Sequence, residues 1–323
     1  MTTMPRFQSL VALEGGHVES AAQFSRKQID ELLELADLLM TRDRQGQDTD
    51  VLARRVMVPL FFESSTRTFS SFCAAMAKLG GHVVYLPLES SSMTKGETLE
   101  DTARAVDSYA DVVVMRHPDA QAFKRVTSVT RHPVVNAGNG IGEHPTQSLL
   151  DVFTMVAELG TVDGLTIALV GDLKHGRTVH SLAKLLTNFA VKHLYFVAPP
   201  QLAMPDDVIE FVRSRNLSVS SSSSLTDEIL SSVDVLYVTR VQKERFQSSA
   251  DYESVKGHYV VTKALMDKAK ARMVVMHPLP RVDEISTEVD DDPRAAYFRQ
   301  MRYGLFLRMA LLVAVLGKTA SVC

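Results

Sequence analysis

The sequence predicts an α/β protein built as two three-layer domains, each a parallel sheet flanked by helices. Three observations carry the prediction. Short β-branched or apolar runs alternate with longer helical patterns, which reads as parallel strands joined by crossover helices. The alternation occurs twice, with a long helical stretch after Pro145 between the two sets. The length, 323 residues, is about twice the ~150 residues usual for one domain. The expected division is residues 1–150 plus 300–323 for one domain and 151–299 for the other, joined by long helices.

Taken in order, strands are expected at Val56–Phe62, Val83–Leu86, Val112–Met115, Pro133–Asn136, Leu165–Val170, Leu194–Val197, Val233–Thr239 and Met273–Met276. Helical patterns lie between them at Ser25–Thr41, Thr66–Leu79, Leu99–Tyr109, Thr146–Glu158, Thr178–Asn188 and Leu225–Ser232. The serine-rich run Ser218–Ser224 reads as a solvated loop after a helix. Each domain is thus expected to be Rossmann-like, and in such sheets ligands sit beyond the carboxyl ends of the strands. Functional residues are therefore sought just after strands.

Composition narrows the classes. Lys and Arg number 35 against 38 Asp and Glu, a net charge of −3, which argues against a general nucleic-acid binder. The longest apolar run, Met309 to Leu316, has eight residues, far short of the ~20 that span a bilayer. The start, Met1 to Arg6, has no apolar signal core. Two cysteines, Cys73 and Cys323, support neither a disulfide framework nor a cysteine-rich metal site. A soluble, cytoplasmic enzyme is expected, with no membrane or nucleic-acid partner.

Five constellations follow strands. After Val56–Phe62 comes Glu63-Ser64-Ser65-Thr66-Arg67-Thr68, opening a helix whose apolar residues Phe69, Phe72, Cys73 and Met76 mark one buried face. Hydroxyls, free backbone N–H groups and a guanidinium at one helix start make a phosphate cradle. A plain Ser/Thr cap is the bland alternative, but a cation in the first turn is disfavoured by the helix dipole unless an anion is bound. Next, Glu89 to Thr98 is a polar loop holding Lys95, where Thr94 and Glu97 have capping-box spacing. Arg116 directly follows the third strand. Then Gly138-Asn139-Gly140-Ile141-Gly142-Glu143-His144-Pro145-Thr146-Gln147 offers alternate glycines, a weak dinucleotide signal, and places His144 and Gln147 at a helix start. A satisfied structural histidine is the alternative there.

The fifth, Gly171-Asp172-Leu173-Lys174-His175-Gly176-Arg177-Thr178, nearly fits a P-loop but has arginine where lysine is needed. Arginine's planar fork suits a carboxylate better than it replaces that point charge. Arg240 and His277-Pro278-Leu279-Pro280-Arg281 follow the last two strands. Arg67, Arg116, Arg177 and Arg240, with Lys95 nearby, point to small, multiply charged anions. No G-x-S-x-G elbow, H-E-x-x-H pair or metal-type carboxylate cluster occurs, so orientation and charge stabilisation without metal or cofactor fit best.

Together, Ser65-Thr66-Arg67-Thr68, Lys95-Gly96-Glu97-Thr98, Met115-Arg116-His117-Pro118, His144-Pro145-Thr146-Gln147, the Gly171–Thr178 segment, Thr239-Arg240-Val241-Gln242-Lys243-Glu244-Arg245 and His277-Pro278-Leu279-Pro280-Arg281 resemble the transcarbamoylases, in particular their aspartate branch. The resemblance runs from about Phe24 to the C-terminal helix. It implies transfer of a carbamoyl group from carbamoyl phosphate to L-aspartate in pyrimidine synthesis. Ser65, Thr66, Arg67 and Thr68 would hold the phosphate; Arg116, His144 and Thr68 would donate to the carbonyl oxygen; Gln147 would orient the amide. Pro278 and Leu279 would offer carbonyls to the carbamoyl nitrogen, and Arg177, Thr178, Arg240, Gln242 and Lys95 would bind aspartate. Ser91 and Lys95 would come from a neighbouring subunit of a homotrimer, and closure of the two domains would accompany binding. The ornithine branch generally has His-Cys-Leu-Pro at the last motif, and ornithine carries a cation that Arg177 and Arg240 would repel. A non-catalytic assembly relative would be expected to lack Arg67, His144 or Lys95. Many members carry arginine where this chain has Phe69, and altered interface contacts are the expected result.

Overall fold

The computed structural model describes residues 6–87, 92–140, 142–241 and 259–322. It divides into two compact units, residues 1–149 with 302–323 and residues 150–301.

Unit 1 holds a four-stranded parallel sheet of β1 (Val56–Phe61), β2 (His82–Val83), β3 (Val112–His117) and β4 (Val134–Asn139), in the order β2-β1-β3-β4. Its helices are α1 (Arg26–Arg44), α2 (Thr66–Lys78), α3 (Leu99–Asp107) and α4 (Ala122–Thr127). Val58, Leu60, Val113 and Met115 from the strands pack with Leu99, Val106, Phe123 and Val126 from the helices. Central parallel strands are covered on both faces, so β1 and β3 are nearly continuous apolar runs. Helix α1 begins with a reciprocal capping box between Ser25 and Gln28.

Unit 2 holds a five-stranded parallel sheet of β5 (Thr166–Val170), β6 (His193–Val197), β7 (Val219–Ser222), β8 (Val235–Val238) and β9 (Val274–Met276), in the order β7-β6-β5-β8-β9. Helices α6 (Arg177–Leu186), α7 (Asp206–Ser214), α8 (Asp227–Ser232) and α9 (Lys263–Lys268) follow its strands. The division between units falls inside α5 (Pro145–Leu159) and α10 (Tyr297–Val315). The apolar run from Met309 is buried in α10, as an all-round hydrophobic helix must be. Gly15 N–H donates to the Val315 carbonyl at 2.9 Å, and Arg308 reaches the Ser71 hydroxyl at 2.9 Å while stacking over Phe72. Among the described residues no helix is long and apolar enough to cross a membrane.

Three readings differ from the structure. The serine run forms strand β7 rather than a loop, pairing in parallel with β6 from Val219 to Ser222. It lies on the sheet edge, where exposed polar side chains are tolerated, and His193 on β6 bridges the Ser218 and Ser220 hydroxyls at 2.9 and 3.0 Å. Strand β2 is only His82–Val83, sharing a single residue, Val83, with the region read as Val83–Leu86. Cys73 is half-buried rather than fully packed, and burial raises its thiol pKa.

Candidate active site

Both sheets reverse their strand order about one strand, and ligands bind beyond the strand ends at such switch points. In unit 1 the switch lies between β1 and β3; in unit 2 it lies between β5 and β8.

The turn after β1 leads into α2 through Ser65, which makes no side-chain capping bond. The bland reading of this motif as a simple cap therefore has no support from Ser65. Thr66 and Arg67 are exposed in the first turn and Thr68 is buried. Arg67 thus adds a cation at the positive end of the helix dipole, an arrangement that favours an anion there. Phe69 meets Phe61 and Tyr85 edge-on, with ring centroids 5.3 and 5.7 Å apart.

Arg116, next to last in β3, is buried, with its Nε 3.3 Å from Glu63 Oε2 and its Nη1 3.5 Å from the Ala137 carbonyl. The Phe62 N–H donates to the Arg116 carbonyl at 2.8 Å, tying the turns after β1 and β3 together. Beyond β4, Gly140 has φ +53°, and a Cβ there would stand 2.1 Å from the Pro118 carbonyl oxygen. These glycines allow a tight return against the Pro118 turn, which explains them without a dinucleotide. His144, buried, precedes α5, and its Nδ1 is 3.5 Å from Thr146 Oγ1. Gln147 is buried and its N–H donates to the His144 carbonyl at 3.0 Å. The structure thus brings His144 and Gln147 to one helix start.

Lys95 is exposed at the end of a 3-10 turn, Ser92–Lys95. The capping-box spacing of Thr94 and Glu97 is not used: Thr98 caps α3 by accepting from Asp101 N–H, and Glu97 accepts from the Thr102 hydroxyl at 2.7 Å. Ser91 lies outside the described residues.

In unit 2, Gly171 follows β5 with φ +116°, and a Cβ would stand 2.2 Å from the Thr239 carbonyl beyond β8. The two turns at the switch point therefore touch. Asp172, fully buried, accepts the His175 N–H at 3.0 Å and faces the His175 ring at 3.2 Å. The loop thus fills one of its own backbone donors, unlike a loop whose N–H groups cradle phosphates. Arg177 and Thr178 open α6 and Arg240 follows β8, all three partly exposed. Gln242 lies outside the described residues.

After β9 the chain runs through His277, Pro278 and Leu279. Leu279 has φ +55°, a conformation leucine rarely adopts. The buried His277 ring accepts the Leu279 N–H on Nδ1 at 2.8 Å and meets Glu284 Oε1 through Nε2 at 2.7 Å. Burial pushes the Glu284 carboxyl up, but the hydrogen bond from His277 and the backbone N–H groups around it outweigh that and hold it below the usual range. Sequence reasoning passed over Glu63 and Glu284 because their partners are fixed only by folding; only Glu284, close after His277 in the chain, carried a local signal.

The chain and its fold are similar to known proteins. A family model described as "Aspartate/ornithine carbamoyltransferase, carbamoyl-P binding domain" matches residues 16–157. A second, "Aspartate/ornithine carbamoyltransferase, Asp/Orn binding domain", matches residues 163–315. The chain is 51% identical over 304 residues to the multifunctional protein CAD of Squalus acanthias, covering 94% of this chain and only 14% of that protein. It is 45% identical over 312 residues to the chloroplastic aspartate carbamoyltransferase of Arabidopsis thaliana, covering 96% of this chain and 80% of the relative. The crystal structure of Trypanosoma cruzi aspartate transcarbamoylase with aspartate and phosphate superposes with a TM-score of 0.92 at 53% identity, covering 95% and 98% of the two chains. The chain belongs to the aspartate/ornithine carbamoyltransferase family.

Proposed function

We propose that this chain is an aspartate carbamoyltransferase, converting carbamoyl phosphate and L-aspartate to N-carbamoyl-L-aspartate and phosphate in de novo pyrimidine (UMP) biosynthesis. The observation that carries the reading is the cationic set at each switch point: Ser65 to Thr68 and Arg116 in unit 1, Arg177 and Arg240 in unit 2. The names of the plant and trypanosome relatives support aspartate as acceptor.

Unit 1 carries the donor half. Ser65, Thr66, Arg67 and Thr68 hold the phosphate at the α2 N-terminus, and the permanent charge of Arg67 offsets negative charge on the departing group. As the aspartate amine attacks, charge grows on the carbamoyl oxygen. Arg116, His144 and Thr68 donate to it; each such donor is worth ~3 kcal/mol of transition-state stabilisation. Gln147 orients the amide, and by family resemblance the carbonyls of Pro278 and Leu279, which belong to unit 2, receive its nitrogen. Unit 2 carries the acceptor half, with Arg177, Thr178, Arg240 and Gln242 on the aspartate carboxylates. No covalent enzyme intermediate is required.

Ser91 and Lys95 reach a neighbouring subunit's site in a homotrimer. The multifunctional relatives, of which this chain matches only a small share, support association with other pyrimidine-pathway enzymes. The cytoplasm is the proposed compartment. The deciding assay measures carbamoyl-aspartate formation with ornithine as competing acceptor; carbamoylation of ornithine instead of aspartate would overturn the reading.

A further inference from the structure

We infer that His277 and Glu284 are positioning residues that hold the Pro278–Leu279 backbone in the orientation needed to receive the carbamoyl nitrogen. The inference rests on the reading that these two carbonyls are substrate contacts.

The geometry fixes a direction of hydrogen bonding. The Leu279 N–H can only donate, so His277 Nδ1 accepts it at 2.8 Å and must be unprotonated. The single ring proton is then on Nε2, where Glu284 Oε1 accepts it at 2.7 Å. This is how a second hydrogen bond sets a histidine tautomer. A doubly protonated ring would leave the Leu279 N–H facing a donor. Glu284 is itself fixed: its Oε2 accepts from the N–H groups of Val282 and Asp283 at 3.2 Å each. The carboxylate therefore clamps the chain downstream of the turn, and the imidazole clamps the turn itself.

The other end is tied down as well. His277 N–H donates to Gln300 Oε1 at 3.0 Å, Gln300 Nε2 donates to Asp151 Oδ1 at 2.7 Å, and Tyr237 OH donates to Asp151 Oδ2 at 2.8 Å. Tyr237, Asp151, Gln300, His277 and Glu284 are all buried. A left-handed residue such as Leu279 persists only where its surroundings over-determine it, and here the imidazole supplies that constraint on its amide. Burying a carboxylate and an imidazole is costly unless they are fully bonded, which an apolar core would avoid. Aiming two main-chain carbonyls is a return that packing alone does not give.

The test separates aiming from folding. In E284A, kcat should fall about 10- to 100-fold and carbamoyl phosphate should bind correspondingly less well, the scale of a ~1 Å misplacement of a positioned group. Inorganic phosphate, held by Ser65 to Thr68, should bind within about twofold of the unaltered chain. E284Q keeps an acceptor for Nε2–H but loses Oε2 as acceptor for the Val282 and Asp283 N–H groups, so it should recover part of the loss. Should E284A fail to fold, two histidine variants decide. The amide oxygen of H277N can take the place of Nδ1 and keep the Leu279 N–H satisfied, whereas the longer amide of H277Q reaches the Glu284 side. H277N should therefore retain more carbamoyl phosphate affinity than H277Q. Equal or reversed affinities overturn the assignment, as does parallel loss of phosphate binding in a folded E284A, or wild-type kinetics in that variant. A wild-type chain that makes no carbamoyl-aspartate refutes the proposed function instead, independently of these variants.

Discussion

Arg67 stands exposed in the first turn of α2, where the dipole would repel it without an anion. Removing it should cost catalysis rather than folding. Arg67→Ala is expected to lower kcat by at least about 10³-fold, since it would lose the proposed phosphate contact and leaving-group stabilisation, while its thermal midpoint stays within a few degrees. Wild-type turnover would take Arg67 out of the mechanism. At this scale the strand-end motifs were readable because each is contiguous: Ser65 to Thr68, or His144 to Gln147. What escaped were residues defined by distant partners. Glu63 meets Arg116 at 3.3 Å, and nothing local marks that pairing. Thr94 and Glu97 had the right spacing for a cap but lost to Thr98, whose hydroxyl satisfies the same first turn of α3.

Elements were legible where periodicity was strong, as in α1 and β5, and misread where side chains gave a false cue. The serines of β7 have poor strand propensity. The strand forms because the edge of β6 supplies main-chain partners from Leu194 to Val197, a tertiary effect no local window contains. Turns beside the strands carry a sharper prediction. At Gly140, alanine would combine φ +53° with a Cβ 2.1 Å from the Pro118 carbonyl, so Gly140→Ala should destabilise by about 2–4 kcal/mol. A shift of the urea midpoint to lower concentration checks this; an unchanged midpoint would show that the turn can relax.

For the whole molecule, several carboxylates are held below their ordinary pKa values. Arg281 does this to Asp290, and Arg294 to Asp292. At Asp107 burial works the other way but is outweighed by bonds from the His132 and Arg131 N–H groups. A depressed carboxylate contributes stability above its unfolded pKa, and the contribution is lost as pH falls through the folded value. The thermal midpoint should therefore hold steady above the ordinary values of 3.8 for Asp and 4.5 for Glu and drop below them. Asp290→Asn should flatten that drop, and an unaltered slope would dismiss the pair as a source. The proposed sharing of sites makes a second prediction: mixing inactive Lys95→Ala and His144→Ala chains should restore activity, because hybrid trimers would contain some intact sites. No recovery after verified exchange of chains would argue against sites shared between subunits.

Unit 1 includes residues 302–323, and Arg308 and Val315 grip Ser71 and Gly15 from that distant stretch. On the ribosome, the first-made lobe must therefore wait, unsealed, while the whole second lobe is synthesised. A nonsense lesion just beyond codon 301 would spare every proposed substrate-binding residue yet leave the earlier lobe without its closing helix, exposed to proteases and chaperones.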